Sequence, residues 1–339
     1  MTTNNDEVSM QVTLDDIEAA THRALIAHGA EPTPAAAVAH AVRRAEALGN
    51  VICGLYYLES YCLQLASGRV KGDAQPAVSQ PRPASVLADA RYGFAQPAFA
   101  EALPVAVAAA QQQGLAMLAV RHAHTCTSLG YFTEQIAAHG LIGLGFTNAS
   151  PIVAPPGGSK AAIGTKPIAL SVPGSQADDP LRLHFDFSTS AVALGKITMA
   201  KAAGEPIPEG WAIDAEGNPT TDPEAALGGS LVSAGGYKGW GFGLLAELLA
   251  AGVAGGVNSL DVKALKAPEG APHDLGQCYL LIDPSTFGDH FDERFARLAE
   301  AVNEQPGARL PGAVREEKIR VDVPDALWNR VMALASATA

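Results

Sequence analysis

The sequence predicts an α/β fold in which a small helical unit precedes a mixed-sheet domain. Three observations predict it. The first seventy residues carry helix signals and no strand signal. A Pro-rich stretch from Pro76 to Pro83 then interrupts the chain. Beyond it, short apolar runs alternate with helical periodicity, the pattern of helices packed on a sheet. The 339 residues, 48% hydrophobic and 17% charged, are enough for one large or two modest globular domains.

Taken in order, Thr13 opens the first helix, with Asp16 three residues on as in a capping box. Leu14, Ile17, Ala20 and Leu25 form its apolar stripe, and Gly29 ends it. Pro34 starts a second helix through Val38, Val42 and Ala45 to Gly49, and a third covers Leu55–Leu65 and stops at Gly68. Residues 76–83 read as a linker. After them come a strand at Ser85–Asp89, an Ala-rich helix at Pro97–Gln113 and a buried strand at Leu115–Val120. A helix at Leu129–His139 and strands at Leu141–Thr147, Ile168–Val172 and Leu183–Phe187 follow. Residues 204–231 read as turn and loop, Lys238–Gly252 as a helix with small residues on one face, Tyr279–Ile282 as a strand and Phe291–Val302 as a late helix.

Composition excludes several classes. A net charge of −12 repels phosphate backbones and anionic membranes, so neither nucleic acid nor a membrane is an expected partner. It does not exclude a small anionic substrate held in a local basic pocket. No apolar run approaches the roughly 20 residues that span a bilayer. The start shows no basic and apolar leader, which points to the cytoplasm. Cys53, Cys62, Cys126 and Cys278 have no CxxC spacing, so reduced thiols are expected and no structural metal.

The two common phosphate cradles are absent. Gly143-Leu144-Gly145 follows a strand, but Asn148 stands where GxGxxG needs its third glycine. Gly239-Trp240-Gly241 opens a helix, but Leu244 fails in the same way, and there is no P-loop lysine. Gly239, Gly241 and Gly243 either expose backbone N–H groups to an anion or allow tight helix packing.

A longer pattern is more specific. In order, the chain carries Gly140-Leu-Ile-Gly, Thr147-Asn148, Val153-Ala-Pro-Pro-Gly-Gly, Gly164-Thr-Lys-Pro-Ile-Ala, Phe185-Asp-Phe-Ser-Thr-Ser and Gly195-Lys-Ile. The Pro219–Pro223 run, Gly235-Gly-Tyr-Lys-Gly and Arg309-Leu-Pro-Gly complete it. Together these resemble the malate/L-lactate dehydrogenase-like family over nearly the whole chain. The resemblance implies an NAD(P)-dependent oxidoreductase with a mixed-sheet cofactor domain of non-Rossmann type. It places that domain at 81–289, with an irregular insertion near 204–231. A mainly helical domain comprises 1–80 joined by about 290–339. It also implies a homodimer. Asp89-Ala-Arg-Tyr-Gly-Phe-Ala-Gln-Pro-Ala further resembles the branch that reduces Δ1-piperideine-2-carboxylate and Δ1-pyrroline-2-carboxylate.

That branch implies NADPH, with NADH as the alternative, meeting Thr125, Cys126, Thr127, Ser128, Leu129, Asp186, Phe187, Ser188, Tyr237, Lys238, Arg309, Leu310 and Pro311. Lys238 and Arg309 can meet phosphates, and Asp186 can accept from a ribose hydroxyl. Ordinary readings stand beside these: a surface charge, a C-terminal ion pair and a strand-end cap. The matched substrate positions are Tyr57, Thr165, Leu194 and Gly195, which otherwise serve as aromatic contact, turn and bend. The sequence departs from the family in the presumed proton relay. Ile52 and Cys53 occupy its Ser-His places, Tyr57 an Arg place and Lys196 an Asp place. A second family histidine aligns with Thr125, beside His122 and His124. Cys53, His124 and Lys196 are therefore the candidate catalytic residues, each with a plain packing or surface role as its counterpart.

Ketone reduction needs a proton for the developing alkoxide, and a positioned acid contributes ~10²–10⁴-fold. A cyclic imine can arrive already protonated on nitrogen. The expected activity is thus reduction of small cyclic imino acids to proline or pipecolate. A 2-hydroxy-acid dehydrogenase of malate, lactate or ureidoglycolate type is the alternative. A nicotinamide-binding protein without catalysis is the reading from another class.

Overall fold

The computed structural model of the chain describes residues 9–125, 127–176, 179–312 and 318–337. Strand β1 (Ser9–Thr13) leads into helix α1 (Leu14–Ala27). The Thr13 hydroxyl accepts from the Asp16 amide at 3.0 Å and donates to the Asp16 carboxylate at 2.6 Å. This is the capping box with the shorter Asp reaching the hydroxyl rather than the Thr13 amide. Helix α2 (Pro32–Ala47) follows, with proline in its first turn.

The expected third helix, Leu55–Leu65, starts as a 3₁₀ turn and has a further 3₁₀ turn before it. Turns of 3₁₀ helix at Val51–Cys53 and Leu55–Tyr57 precede α3 (Leu58–Ala66). Gly54 joins them in a non-helical conformation, φ −96° and ψ −130°, and the Glu46 side chain packs against the open side of its Cα. Glu46 Oε1 accepts from the Leu55 amide at 2.7 Å. Strand β12 (Arg320–Pro324) pairs antiparallel with β1 and leads into α10 (Asp325–Ala335). Val321, Val323 and Val331 thereby join Leu14, Ile17, Leu25, Val38 and Val42 in one core. Each such buried aliphatic side chain contributes about 1.5–3 kcal/mol.

Residues 76–83 are not a free linker. Ala77–Arg82 form β2, the edge strand of a seven-stranded sheet, paired with β3 (Ser85–Asp89). An edge tolerates Pro81, which lacks a donor, so the proline signal was misleading. Helix α4 (Ala95–Gln113) crosses to β4 (Leu115–Ala123), then come α5 (Gly130–Ala137), β5 (Ile142–Thr147), β6 (Ile168–Gln176) and β7 (Asp179–Phe187). Strand β11 (Leu275–Ile282) inserts between β4 and β5, giving the order β2-β3-β4-β11-β5-β6-β7. Only the β3–β4 pairing is parallel. This is a mixed sheet, not the doubly wound parallel one that GxGxxG serves. Phe99 of α4 packs edge-on to Phe132 and Tyr279, with centroids 4.9 and 5.0 Å away.

Helix α6 (Leu194–Ala203) leads into the region expected to be loop. It instead holds β8 (Ala212–Ile213), β9 (Pro219–Thr220), α7 (Pro223–Gly228) and β10 (Ser230–Leu231). Two-residue strands are too short for any periodicity, so they were invisible in the sequence. They enclose a third core of Val153, Ile163, Ile197 and Leu231. The predicted helix over 238–252 is α8 (Tyr237–Glu247) followed by a π-helix over Leu248–Val253. Helix α9 (Phe291–Asn303) buries no residue fully. No helix among the described residues is long and apolar enough to cross a membrane. The topology brings the C-terminal ends of β3, β4, β5 and β7 to one rim of the sheet.

Candidate active site

The rim is organised where α5 begins. Asp186 of β7 accepts from the Ser128 hydroxyl and from the Gly130 amide, both at 2.8 Å, and from the Leu129 amide. A carboxylate at a helix N-terminus complements its free N–H groups and its dipole. Burial pushes the Asp186 pKa above the usual carboxylate value, while the three donors pull against it. Gly130 is required by contact, since a Cβ there would lie 2.7 Å from His184 Nε2. Thr127 adopts φ +61°, a costly value for a threonine, and its hydroxyl accepts from Gln96 Nε2 at 3.4 Å.

The first 3₁₀ turn of the helical unit faces this carboxylate. Burial first, and then the Asp186 charge, push the Cys53 thiol up to about 12, with Asn50 donating against the shift. Cys53 in turn acts on Tyr57, whose hydroxyl is also shifted upward, chiefly by burial. Ile52 Cδ1 lies 3.4 Å from where a Cβ on Gly195 would stand. Cys53, Tyr57, Asp186, Leu194 and Gly195 therefore gather around one place between the helical unit, β7 and the start of α6. Lys196, also in the first turn of α6, is exposed. The Thr165 carbonyl accepts from the Thr189 amide at 2.8 Å and its hydroxyl at 3.1 Å, tying this turn to the end of β7.

His124 departs from expectation. It is 1% exposed, with Nε2 at 2.9 Å from Gln64 Oε1 and its ring stacked 4.0 Å from that of His273. Burial, then His273 and Arg69, hold its pKa well below the usual histidine value. A neutral imidazole turned into the core is unsuited to donate a proton to a substrate at the rim. The polar sequence around it carried no sign of this burial, because its partners Gln64 and His273 come from distant segments.

Thr125, Thr127, Ser128, Leu129 and Asp186 are adjacent, and Cys126 lies outside the described residues. Phe187 is exposed and stacks on Phe185 at 4.7 Å, and the Ser188 hydroxyl accepts from Ser190 at 3.0 Å. Pro311 also reaches β7, where its carbonyl accepts from the His184 amide at 3.1 Å, so Arg309 and Leu310 approach the same strand. Tyr237 and Lys238 are exposed in the first turn of α8, whose approach is tied to the end of β7: the Ala234 amide donates to the Thr189 carbonyl at 2.9 Å and Ser233 bridges Ser190. Tyr237 and Lys238 border a groove of about 390 Å³ lined by Pro155 to Ser159, Ser233 and Gly236. Gly239 and Gly243 serve packing: a Cβ would meet Ala234 O at 1.9 Å and Ile163 Cδ1 at 2.6 Å.

Sequence reasoning missed Lys166. It is fully buried, with φ +45°, and its ammonium donates to Glu247 of α8 and to Ser259. Burial pushes it down to about 8, while the Glu247 charge opposes the shift. Its position beside Thr165 in the Gly164-Thr-Lys-Pro run was the available signal.

The donor set fits a dinucleotide. Ser128, Asp186 and the α5 terminus are groups of the kind that bind sugar hydroxyls and an amide, here hydrogen-bonded to one another. Lys238 and Arg309 are exposed cations with no carboxylate partner among the described residues. No cluster of three or more His, Cys, Asp or Glu among the described residues could hold a metal ion.

Comparison with known proteins gives the family. Residues 12–330 match the malate/L-lactate dehydrogenase family. A (2R)-3-sulfolactate dehydrogenase (NADP(+)) of Chromohalobacter salexigens is 39% identical over 333 residues, covering 97% of this chain and 99% of that one. A Δ1-pyrroline-2-carboxylate reductase of Ancylobacter novellus is 36% identical, covering 96% and 97%. The crystal structure of Δ1-piperideine-2-carboxylate reductase from Pseudomonas syringae pvar. tomato superposes with a TM-score of 0.87 at 33% identity, covering 96% and 99%. A mixed seven-stranded sheet, a helical unit closing over its rim and a family match across nearly the whole length make this chain an oxidoreductase of the malate/L-lactate dehydrogenase family.

Proposed function

We propose that the protein reduces small cyclic imino acids with NADPH, NADH being the alternative donor. Its substrates are then Δ1-pyrroline-2-carboxylate and Δ1-piperideine-2-carboxylate, and its products L-proline and L-pipecolate. One observation carries the reading. The group facing the Asp186 carboxylate is Cys53, a thiol pushed up to about 12 and therefore no useful acid or base near neutrality. The relatives include reductases named for these imines.

The bound nicotinamide would supply a hydride. The chain's residues do the rest. Asp186 provides negative charge beside the reacting group and favours an iminium already carrying its proton on nitrogen. Hydride adds to the ring carbon, the C=N π pair becomes the nitrogen lone pair, and the N–H proton stays where it was. Gly195 leaves room for the substrate against Ile52, and Tyr57 walls the helical side. Ser128, Leu129 and Asp186 would hold the nicotinamide end, with Lys238 and Arg309 for the phosphates. In this reading 81–289 is the cofactor domain, and 1–80 with about 290–339 is the helical one.

A second reading is oxidation of a 2-hydroxy acid. It is favoured by the 39% identity to a sulfolactate dehydrogenase and by the exposed Lys196 cation at the start of α6. The site is also proposed to work in a cytoplasmic homodimer. Exposed Tyr237, Phe242 and Leu245 of α8 and Leu248 of the π-helix after it form an apolar stretch that a second copy would cover, and Cys53, Cys62 and Cys278 are free thiols. The deciding experiment follows NADPH consumption with the two imines and pyruvate side by side, and NADP reduction with malate, lactate and sulfolactate. Fast turnover of the imines supports the first reading, and faster oxidation of a hydroxy acid than reduction of either imine overturns it.

A further inference from the structure

Between the π-helix and β11 the chain crosses the helical unit as an irregular strap, residues 262–274. Two buried side chains of the helical unit fix it. Gln64 Nε2 donates to the carbonyls of Leu265 at 2.7 Å and Ala267 at 2.8 Å, the two neighbours of Lys266. Arg69 donates through Nη1 to Ala264 at 3.0 Å and to Ala267, and through Nε to Ala271 at 3.0 Å. The Ser67 hydroxyl donates to Pro268 O at 2.6 Å. A loop without secondary structure thus has its carbonyls held at five positions, so the backbone of Lys266 is fixed. Its ammonium is placed 3.7 Å from the ring centroid of Tyr56 and 5.3 Å from that of Tyr57. Tyr57 stacks on Tyr61, and Tyr56 meets Tyr57 edge-on at 5.3 Å, so the rings form a rigid platform beneath the cation.

We propose that Lys266, seated on Tyr56 and Tyr57 by the Gln64–Arg69 clamp, is a specificity-determining residue that recognises the carboxylate of the substrate. The inference rests on the reading of Cys53, Tyr57 and Asp186 as the substrate site. Three observations support it. No carboxylate among the described residues pairs with Lys266, so its charge is available. The aromatic faces hold the ammonium without neutralising it, leaving N–H donors for an oxyanion. The chain carries a net −12, so a small acid needs a local cation to be drawn in. Ionic contacts of Lys166, Lys201 and Arg330 with Glu247, Glu224 and Glu59 leave those cations committed elsewhere.

The test compares wild type with Lys266→Ala, Lys266→Arg and Lys266→Glu, all at an exposed side chain. Steady-state kinetics use whichever 2-substituted carboxylate the wild type turns over. Lys266→Ala should raise its KM by about tenfold or more while kcat stays within about twofold. Lys266→Arg should recover most of that loss and Lys266→Glu should deepen it. KM for the nucleotide should not move, and added salt should weaken substrate capture by the wild type more than by Lys266→Ala. In parallel, calorimetry measures binding of pyrrole-2-carboxylate, a planar acid that cannot be reduced in this way, to the NADPH-loaded enzyme. Failure of the wild type to reduce any imine sinks the imine reading alone, because the carboxylate readouts remain. An unchanged KM and an unchanged affinity for pyrrole-2-carboxylate in Lys266→Ala overturn the role of Lys266, as does absence of wild-type binding.

Discussion

Replacing Cys53 by alanine asks whether the reaction needs a proton donor at the place that faces Asp186. The thiol is pushed up to about 12, by burial and then by the Asp186 charge. At pH 7 a group with that pKa is ionised in about one molecule in 10⁵, so it serves neither as base nor as nucleophile. As an acid it is far from the pKa that makes proton transfer effective near neutrality. A positioned acid in its place would contribute ~10²–10⁴-fold. If the iminium nitrogen brings its own proton, none of that factor is lost with the sulfur. The expected result for Cys53→Ala is a kcat for imine reduction within about threefold of wild type, the range that loose packing at a small void explains. Stopped-flow NADPH oxidation at saturating imine reads this directly, with the affinity for NADPH measured beside it. The companion Cys53→His places an imidazole against the Asp186 carboxylate, and oxidation of 2-hydroxy acids should then rise by roughly 10²-fold. A hundredfold or greater loss of imine reduction in Cys53→Ala, with unchanged NADPH affinity and circular dichroism, would refute the reasoning.

Other outcomes follow from the same structure. Asp186→Asn presents an amide to three donors where only its oxygen can accept, which costs about 1–3 kcal/mol. NADPH affinity should fall about tenfold or more and the thermal midpoint should drop; if neither moves, Asp186 does not organise the α5 end. Lys166, at about 8, lies below its unfolded value of 10.5, so the unfolded state binds more protons between the two. Stability from this group therefore rises by up to about 3 kcal/mol as pH climbs from 8 to 10.5. The thiols of Cys62 and Cys278, raised to about 12, act oppositely in that window, so the readout is the difference between wild type and Lys166→Met in urea unfolding. A pH-independent difference would reject the burial of this amine. His273 is pushed down to about 3 by burial and then by the Arg69 charge. Its contribution is complete above pH 6.5 and is lost progressively as pH falls toward 3, by up to about 5 kcal/mol. His273→Leu should flatten acid unfolding over that range, and an unaltered profile would contradict its neutral, stacked state.

The legible parts of the fold were those with long local period. Leu14, Ile17 and Leu25 placed α1, and the short apolar runs placed β4, β5 and β7, because each depends on neighbours in sequence. The failures share the opposite cause. The first turn of the third helix is 3₁₀ because it follows the non-helical Gly54 and hangs from Glu46, whose carboxylate, far back in the chain, accepts from the Leu55 amide. Pro81 sits in a strand because that strand is an edge, a fact of topology. The residues after β4 and those at the end of β7 were grouped through resemblance, and the hydrogen bonds of Asp186 give that grouping a physical basis. His124 misled because a polar residue after a strand looks available. Its burial depends on Gln64 and His273, far away along the chain. Lys266 showed nothing in sequence, since Gln64 and Arg69 become its clamp only when the strap crosses α3.

Charge placement gives the last argument for an imino acid. A cyclic imino acid protonated on nitrogen carries a carboxylate and an iminium on adjacent atoms, so it needs a cation and an anion set across one small pocket. In the proposed site Asp186 and Lys266 would be that pair. Asp186, fixed by the α5 terminus, is on the sheet side, and Lys266, fixed on the tyrosine platform, is on the helical side. A deprotonating 2-hydroxy acid develops negative charge at the carbinol oxygen instead. Beside Asp186 that charge is disfavoured: two unit charges about 5 Å apart repel by roughly 3 kcal/mol at an effective dielectric near 20. In the proposed reaction the field that would assist hydride transfer to an iminium would therefore oppose alkoxide formation. Charge alone then predicts that Asp186→Asn will hurt imine reduction far more than any residual hydroxy-acid oxidation. Equal losses in the two reactions, at matched NADPH and NADP occupancy, would show that Asp186 acts on the cofactor alone.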